Sequence, residues 1–254
     1  MRALLEVSHL TMHFGGVKAL TEVSFAVREK EFLCLIGPNG AGKTTLLKSI
    51  LGVVQPQQGE IRLAGRAISH LPTHRRIRLG LALTHQIVRP FRSMTVRDNV
   101  ALAAGHRRLR SVAGALLRGN RRPEREKAAA YLERVGIGDY IDQSVAGLPL
   151  GVLKRLEVAR ALALAPDLLL LDEPLAGLNS VEAERLADTV AEINREGMTV
   201  VMIEHNLSEV MRVAQRLVVL DSGRKIAEGE PASVMAQPAV QAAYVGKEAA
   251  HAAA

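Results

Sequence analysis

A chain of 254 residues has room for one large or two modest domains, and with 48% hydrophobic residues nothing in its composition reads as disordered. Aromatics are only 3% and Trp is absent, so the core must be aliphatic, which suits the buried parallel strands of an α/β protein. The excess of 33 Lys and Arg over 26 Asp and Glu favours an anionic partner (nucleotide, nucleic acid or a membrane surface), and the single cysteine, Cys34, excludes an intramolecular disulfide and fits a reducing compartment.

At the N-terminus, Met1 to Glu6 meets a charge before an apolar region of signal-peptide length can form. No apolar run approaches the roughly 18 residues of a membrane-spanning helix, so a membrane role is expected through a partner. Leu4 to Leu10, Val23 to Val27 and Gly59 to Gly65 read as strands, predicted to flank the centre of the fold with antiparallel material. Phe14 is placed in a loop between the first two. There it could stack on a base, or it could be a core or strand-end residue.

The centre itself is Gly37-Pro38-Asn39-Gly40-Ala41-Gly42-Lys43-Thr44-Thr45, a glycine, four residues, then Gly-Lys-Thr. An apolar strand, Glu31 to Ile36, precedes it and a helical pattern, Thr45 to Leu51, follows. The glycines let backbone N–H groups turn inward around phosphates, and the helix adds its positive end. Lys43 is of a length to reach β- and γ-phosphates, and the Thr44 hydroxyl is placed to ligate Mg²⁺.

Gly80 to Thr84 reads as a strand ending at His85-Gln86, after which helices are predicted over Thr95 to Ala104, Pro123 to Val135 and Val152 to Leu164. Between the first two, residues 107–125 carry Arg107, Arg108, Arg110, Arg118, Arg121, Arg122 and Arg125 against a single acid, Glu124. Two readings stay open for this run, a solvated face and a contact with anionic lipid headgroups. Without interleaved aromatics it does not look like a single-strand nucleic-acid groove.

The α/β pattern returns with Asp167 to Leu171, a strand that delivers Asp172-Glu173-Pro174 at its C-terminal end, where ligands bind in such folds. Asp172 can supply a carboxylate to the Mg²⁺ held by Thr44, and Glu173 can orient and deprotonate a water. Helix Val181 to Arg195, strand Met198 to Ile203, helix Asn206 to Val213 and strands Arg216 to Leu220 and Lys225 to Ala227 follow. That order puts His205 on the same edge as Asp172 and the phosphate loop. Short helices around Pro231 to Tyr244 end the fold, and the stretch from Glu248 is expected to fray.

These residues resemble the ATP-binding-cassette ATPases over essentially the whole chain. The likeness is carried by residues 37–45, Gln86, Leu148-Pro149-Leu150-Gly151 with Arg155 to Leu162, Leu168 to Pro174, Ala176-Gly177-Leu178-Asn179 and His205. The resemblance implies a P-loop NTPase (RecA-like) core with an antiparallel β subdomain over residues 1–86, an inserted α-helical subdomain over 87–165, and the rest of the core over 166–254. ATP and Mg²⁺ would be bound by Asn39, Gly40, Ala41, Gly42, Lys43, Thr44, Thr45 and Asp172, with Phe14 on the adenine. Gln86 would touch the metal and the attacking water and couple them to a transmembrane permease. Glu173 would be the catalytic base and His205 would meet the γ-phosphate.

The family's signature usually reads Leu-Ser-Gly-Gly-Gln, whereas this chain has Leu148-Pro149-Leu150-Gly151-Val152. The serine that would meet a γ-phosphate across a dimer is absent, which leaves the Gly151 backbone and the helix start. Ile203 to Leu207, Ala176 to Asn179, Phe91 to Val100 and Ala243 to Gly246 are similar to the ATPase subunit of branched-chain amino acid importers, a subgroup that includes urea and amide importers. The expected setting is the cytoplasmic face of the inner membrane, with permease subunits, a second cassette (a heterodimer being favoured by Pro149) and, indirectly, a solute-binding protein. A soluble cassette acting on nucleic acid or ribosomes, and a non-hydrolysing scaffold, are the alternatives, and no nucleic acid is expected.

Overall fold

The computed structural model of the chain describes residues 2–84, 86–106 and 122–251. His85 and most of the arginine run, residues 107–121, lie outside the described residues. Of that run, Arg122 pairs with Glu126 and Arg125 with Asp98.

Two sheets organise the fold. The first is antiparallel, in the order β2 (Val17–Arg28), β1 (Ala3–Phe14), β4 (Gln58–Leu63), β5 (Arg66–Ala67). The second has the order β10 (Arg224–Gly229), β9 (Arg216–Asp221), β3 (Phe32–Ile36), β8 (Thr199–Ile203), β7 (Leu168–Asp172), β6 (Leu81–Thr84). Its strands are parallel apart from the antiparallel edge hairpin β9–β10. β3, β7 and β8 are buried at every position, as their unbroken apolar runs require of strands covered on both faces.

Alternation along these strands divides the interior in two. Phe32, Cys34 and Ile36 with Leu169 and Leu171 face one cluster, shared with α3 (Val96–Ala104), α4 (Arg122–Arg134), α5 (Leu150–Leu162) and α6 (Ser180–Arg195). Leu33 and Leu35 with Leu168 and Leu170 face the other, shared with the antiparallel sheet and α1 (Lys43–Leu51). Cys34 is wholly buried and its thiol pKa is pushed far up by burial, so it is an inert small core residue. No helix among the described residues is long and apolar enough to cross a membrane.

Local chemistry sets several helix starts. The Thr95 hydroxyl accepts the Asp98 N–H at the head of α3, Asn179 and Glu182 form a capping box on α6, and Asn206 caps α7 (Leu207–Val213) through the Glu209 N–H. Three expectations shift. α5 begins at Leu150, ahead of Val152, so Gly151 lies inside its first turn; Pro149 at the cap fixes the entry, and neither Leu nor Gly marks a helix start by itself. β1 runs on to Phe14, which pairs with Val17 across a Gly15-Gly16 turn, so Phe14 is a strand end and not a loop residue. After α2 (Thr73–Arg78) and α8 (Pro231–Met235), the last helix, α9, spans Pro238–His251 and continues through the stretch expected to fray.

Register fixes the functional edge. Asp172 lies opposite Ile203, and Ile203 opposite Leu35, so the C-terminal ends of β7, β8 and β3 line up. The loops that leave those ends carry Glu173, His205 and the phosphate loop.

Candidate active site

The phosphate loop is built on close approaches that only glycine allows. A Cβ on Gly37, at φ 143°, would lie 2.0 Å from the Leu220 carbonyl oxygen, and one on Gly42, at φ 99°, 2.6 Å from that of Ala19. Gly42 is also the N-cap of α1 and brings no capping side chain, so the first-turn N–H groups of α1 are presented to the loop's concavity. Lys43, the first residue of α1, is buried; its ammonium donates to the carbonyls of Gly37 (2.6 Å) and Pro38 (3.1 Å) across the loop. Residues 39–45 line a pocket of about 330 Å³ together with Val17, Lys18 and Ala19 of β2 and with Glu173. Asn39, Gly40, Ala41, Gly42, Lys43, Thr44 and Thr45 are thus gathered as the sequence predicts.

The acidic half sits at the end of β7. Asp172 is buried, and Glu173, half-buried, has φ 48°, a left-handed conformation that a residue with a Cβ seldom takes. Its N–H donates to the Ile203 carbonyl at 3.0 Å. The Gln86 side-chain amide donates to Glu173 Oε2 at 2.6 Å, which joins two positions far apart in sequence. With that N–H₂ committed, the Gln86 amide oxygen is left as an acceptor. The Thr44 hydroxyl, the Asp172 carboxylate and the Gln86 amide each offer an oxygen donor, the chemistry that suits Mg²⁺.

His205 stands two residues beyond β8 with a largely exposed side chain. It is carried by Glu204, which is 0% exposed and accepts the Leu175 N–H at 2.8 Å and the His205 N–H at 3.2 Å. Burial pushes the Glu204 carboxyl above the usual range, and those backbone bonds oppose the rise. Sequence reading missed Glu204 as a support. It also missed Lys154, a buried lysine of α5 whose ammonium donates to the main-chain carbonyls of Gln86 and Glu173. The only signal for either was a charged residue set in an apolar pattern.

Of the predicted residues, Gln86, Asp172, His205, Phe14 and Gly151 do not line this pocket, Gln86 being joined to it through Glu173. Phe14 is 50% exposed at the end of β1, beside Val17, which does line the pocket. Gly151 is buried in the first turn of α5 against Glu182, and lines a separate surface pocket with Arg155 and Arg185.

Comparison with known proteins decides the family. The ABC transporter family model matches residues 20–176, more than half of the chain. The chain is an ABC-transporter ATPase. A second model, the branched-chain amino acid ATP-binding cassette transporter, matches residues 224–250 of this cassette. Among similar proteins is the high-affinity branched-chain amino acid transport ATP-binding protein BraF of Pseudomonas aeruginosa, 41% identical, with 97% of this chain and 99% of that one covered. The corresponding protein LivG of Escherichia coli K12 is 38% identical, covering 96% and 98%. Among solved structures, the ADP conformation of the ATP-binding cassette MJ1267 superposes with a TM-score of 0.85 at 29% identity, over 97% of this chain and 100% of that one. A nucleotide-free cassette gives 0.84 at 28%, over 96% and 99%.

The cassette therefore binds ATP and hydrolyses it to drive transport through membrane permease partners. Its mixed α/β architecture is the P-loop NTPase fold that the sequence predicted.

Proposed function

We propose that this cassette energises the import of branched-chain amino acids, working at the cytoplasmic face of the inner membrane beneath a permease that is fed by a solute-binding protein. The solute is supported by the match of residues 224–250 and by the relatives' names. The catalytic assignment is carried by one observation: Glu173, held by Gln86 at 2.6 Å, lines the same pocket as the phosphate loop.

In this reading the Glu173 carboxylate takes a proton from the attacking water, and Gln86 orients that carboxylate. Lys43 and the loop N–H groups neutralise the phosphate oxygens, and preorganised charge of this kind supplies most of the catalysis. Thr44, Asp172 and Gln86 would hold Mg²⁺, which when bound offsets charge building on the β- and γ-phosphates. His205, exposed at the same edge, faces the γ-phosphate, and Phe14 stacks on adenine. The first turn of α5 at Gly151 meets the ATP of a second cassette. Pro149, in place of a hydroxyl-bearing residue, favours a partner that is not identical to this chain.

The test is Glu173→Gln in the assembled transporter, with leucine uptake measured alongside turnover. ATP binding is expected to persist while hydrolysis and uptake fall by about 10²-fold or more, the scale on which a positioned general base contributes. Undiminished turnover in the variant would remove Glu173 from the mechanism. Normal turnover in the wild type with no stimulation by any branched-chain amino acid would reassign the solute.

A further inference from the structure

Lys154 stands where a lysine is costly, in the middle of α5 with only 4% of its surface exposed. A buried ammonium needs acceptors, and it finds two main-chain carbonyls, Gln86 O at 2.9 Å and Glu173 O at 3.1 Å. Those residues are themselves bonded side chain to side chain at 2.6 Å. The three residues thus close a ring, in which Lys154 holds both backbones and Gln86 holds the Glu173 carboxylate. Glu173 needs such holding, because its left-handed backbone persists only where surrounding contacts over-determine it. Four do: the N–H on Ile203 O, the carbonyl on both Lys154 and the Ala176 N–H, and the carboxylate on Gln86.

The ammonium also answers a local charge excess. Burial lowers the Lys154 pKa, and Glu204, Glu173, Asp172 and Glu157 all act to raise it again. A neutral side chain of equal length would fill the space and leave these acids without their shared cation. The rest of α5 packs into one cluster, with Leu156, Val158 and Leu162 beside Val96, Val100, Ala128 and Leu132 of α3 and α4 and Leu169 and Leu171 of β7. α5 is therefore packed between the helical layer and the sheet, and its lysine is fastened to the catalytic turn. Any displacement of that layer against β7 must either carry Gln86 and Glu173 with it or break the two bonds.

We propose that Lys154 is a positioning residue, the strut through which the helical layer sets the geometry of the Glu173 carboxylate. It acts through the main-chain carbonyls of Gln86 and Glu173. Its effect falls on turnover and leaves ATP binding at residues 39–45 intact. The inference rests on the reading of Glu173 as the base.

The experiment uses the full chain assembled in its membrane complex and compares Lys154→Met, Lys154→Arg, Glu173→Gln and the double variant Lys154→Met/Glu173→Gln. Lys154→Met is expected to lower kcat by about 10²-fold, the cost of an ångström-scale misplacement of a catalytic group, with the ATP dissociation constant within about twofold of wild type. Lys154→Arg, which restores donors to both carbonyls, is expected to recover most of the rate. In the Glu173→Gln background the lysine change adds nothing measurable, because the strut then has no base to position.

Wild-type kcat in Lys154→Met, with Glu173→Gln inactive, overturns the strut and leaves the base standing. Full turnover in Glu173→Gln overturns the base by itself. A Lys154→Met variant that loses ATP affinity as steeply as kcat, or an arginine variant as inactive as the methionine one, makes the lysine a structural residue and refutes the proposal. If Lys154→Met does not fold, Lys154→Leu, likewise without a donor, gives the same comparison, with the same loss of kcat at unchanged affinity expected and an unchanged kcat refuting it.

Discussion

Arg76 in α2 is 0% exposed, and its whole guanidinium is spent on main-chain carbonyls. Nε donates to Leu71 O (2.8 Å), one terminal nitrogen to Ser49 O (2.6 Å) and Ile50 O (2.8 Å), and the other to Ser69 O (2.6 Å). Ser49 and Ile50 belong to the last turn of α1, so a cation sits at the negative end of the helix that carries the phosphate loop at its other end. Burial pushes the Arg76 pKa down to about 10, yet the group stays charged at neutral pH. Gly52 makes room for it, since a Cβ there would lie 2.6 Å from Arg76 Nε.

Arg76→Met keeps most of the stem's volume and removes every donor. Ser49 O retains the Gly52 N–H at 3.2 Å, which leaves the carbonyls of Leu71, Ile50 and Ser69 to lose their guanidinium bond. At about 1–3 kcal/mol for each deprived buried acceptor, less the relief of no longer burying a cation, the loss is about 3–5 kcal/mol. In a chain of this length that lowers the melting temperature by roughly 6–20 °C. Urea unfolding followed by circular dichroism measures it directly. Arg76→Lys, a point charge able to reach only part of the fork, is expected to fall between the two. A methionine variant within about 1 kcal/mol of wild type would mean that those carbonyls are satisfied without Arg76 and would refute the reasoning.

Two further outcomes are expected. The Glu31 carboxylate is raised by burial but held below its ordinary value near 4.5 by the paired contacts of Arg216 and the Arg28 N–H, which outweigh it. Its stabilisation is therefore complete above pH 4.5 and is lost as pH falls through the lower folded pKa. Glu31→Gln should cost about 1–3 kcal/mol at pH 7, with the gap to wild type closing below pH 4.5 in pH-dependent denaturation; a gap independent of pH would contradict it. Phe14→Ala should weaken ATP binding by about tenfold, the worth of one base stacked on an aromatic, while Phe14→Trp retains it. Equal affinities for ATP and bare triphosphate in the wild type would remove adenine stacking altogether.

The cassette's chemistry was legible because it depends on short stretches with local rules. The loop of residues 37–45 needs its glycines wherever it is placed, and the strand before it and the helix after it can be read from apolar spacing. The same is true of the leucine run that ends at Asp172. Phe14 was harder, since whether a strand stops at residue 10 or 14 is decided by cross-strand pairing with Val17 and not by the residue itself. The start of α5 was misplaced for a similar reason, because Leu150 and Gly151 carry no helix-start signal and the entry is set by Pro149.

What the sequence determined by itself, then, was the family and the α/β pattern that displays the loop of residues 37–45, Asp172 and Glu173 at strand ends. Only the tertiary structure decided which distant groups meet there. Glu204 and Lys154 read along the chain as ordinary charged residues. In the fold the first is buried under His205 and the second fastens Gln86 to Glu173. The reason is physical: hydrophobic periodicity and turn chemistry are written within a few residues of where they act. The partner of a buried charge can lie 68 positions away, as Gln86 does from Lys154, and is chosen only when the sheet order and helix packing bring the two together.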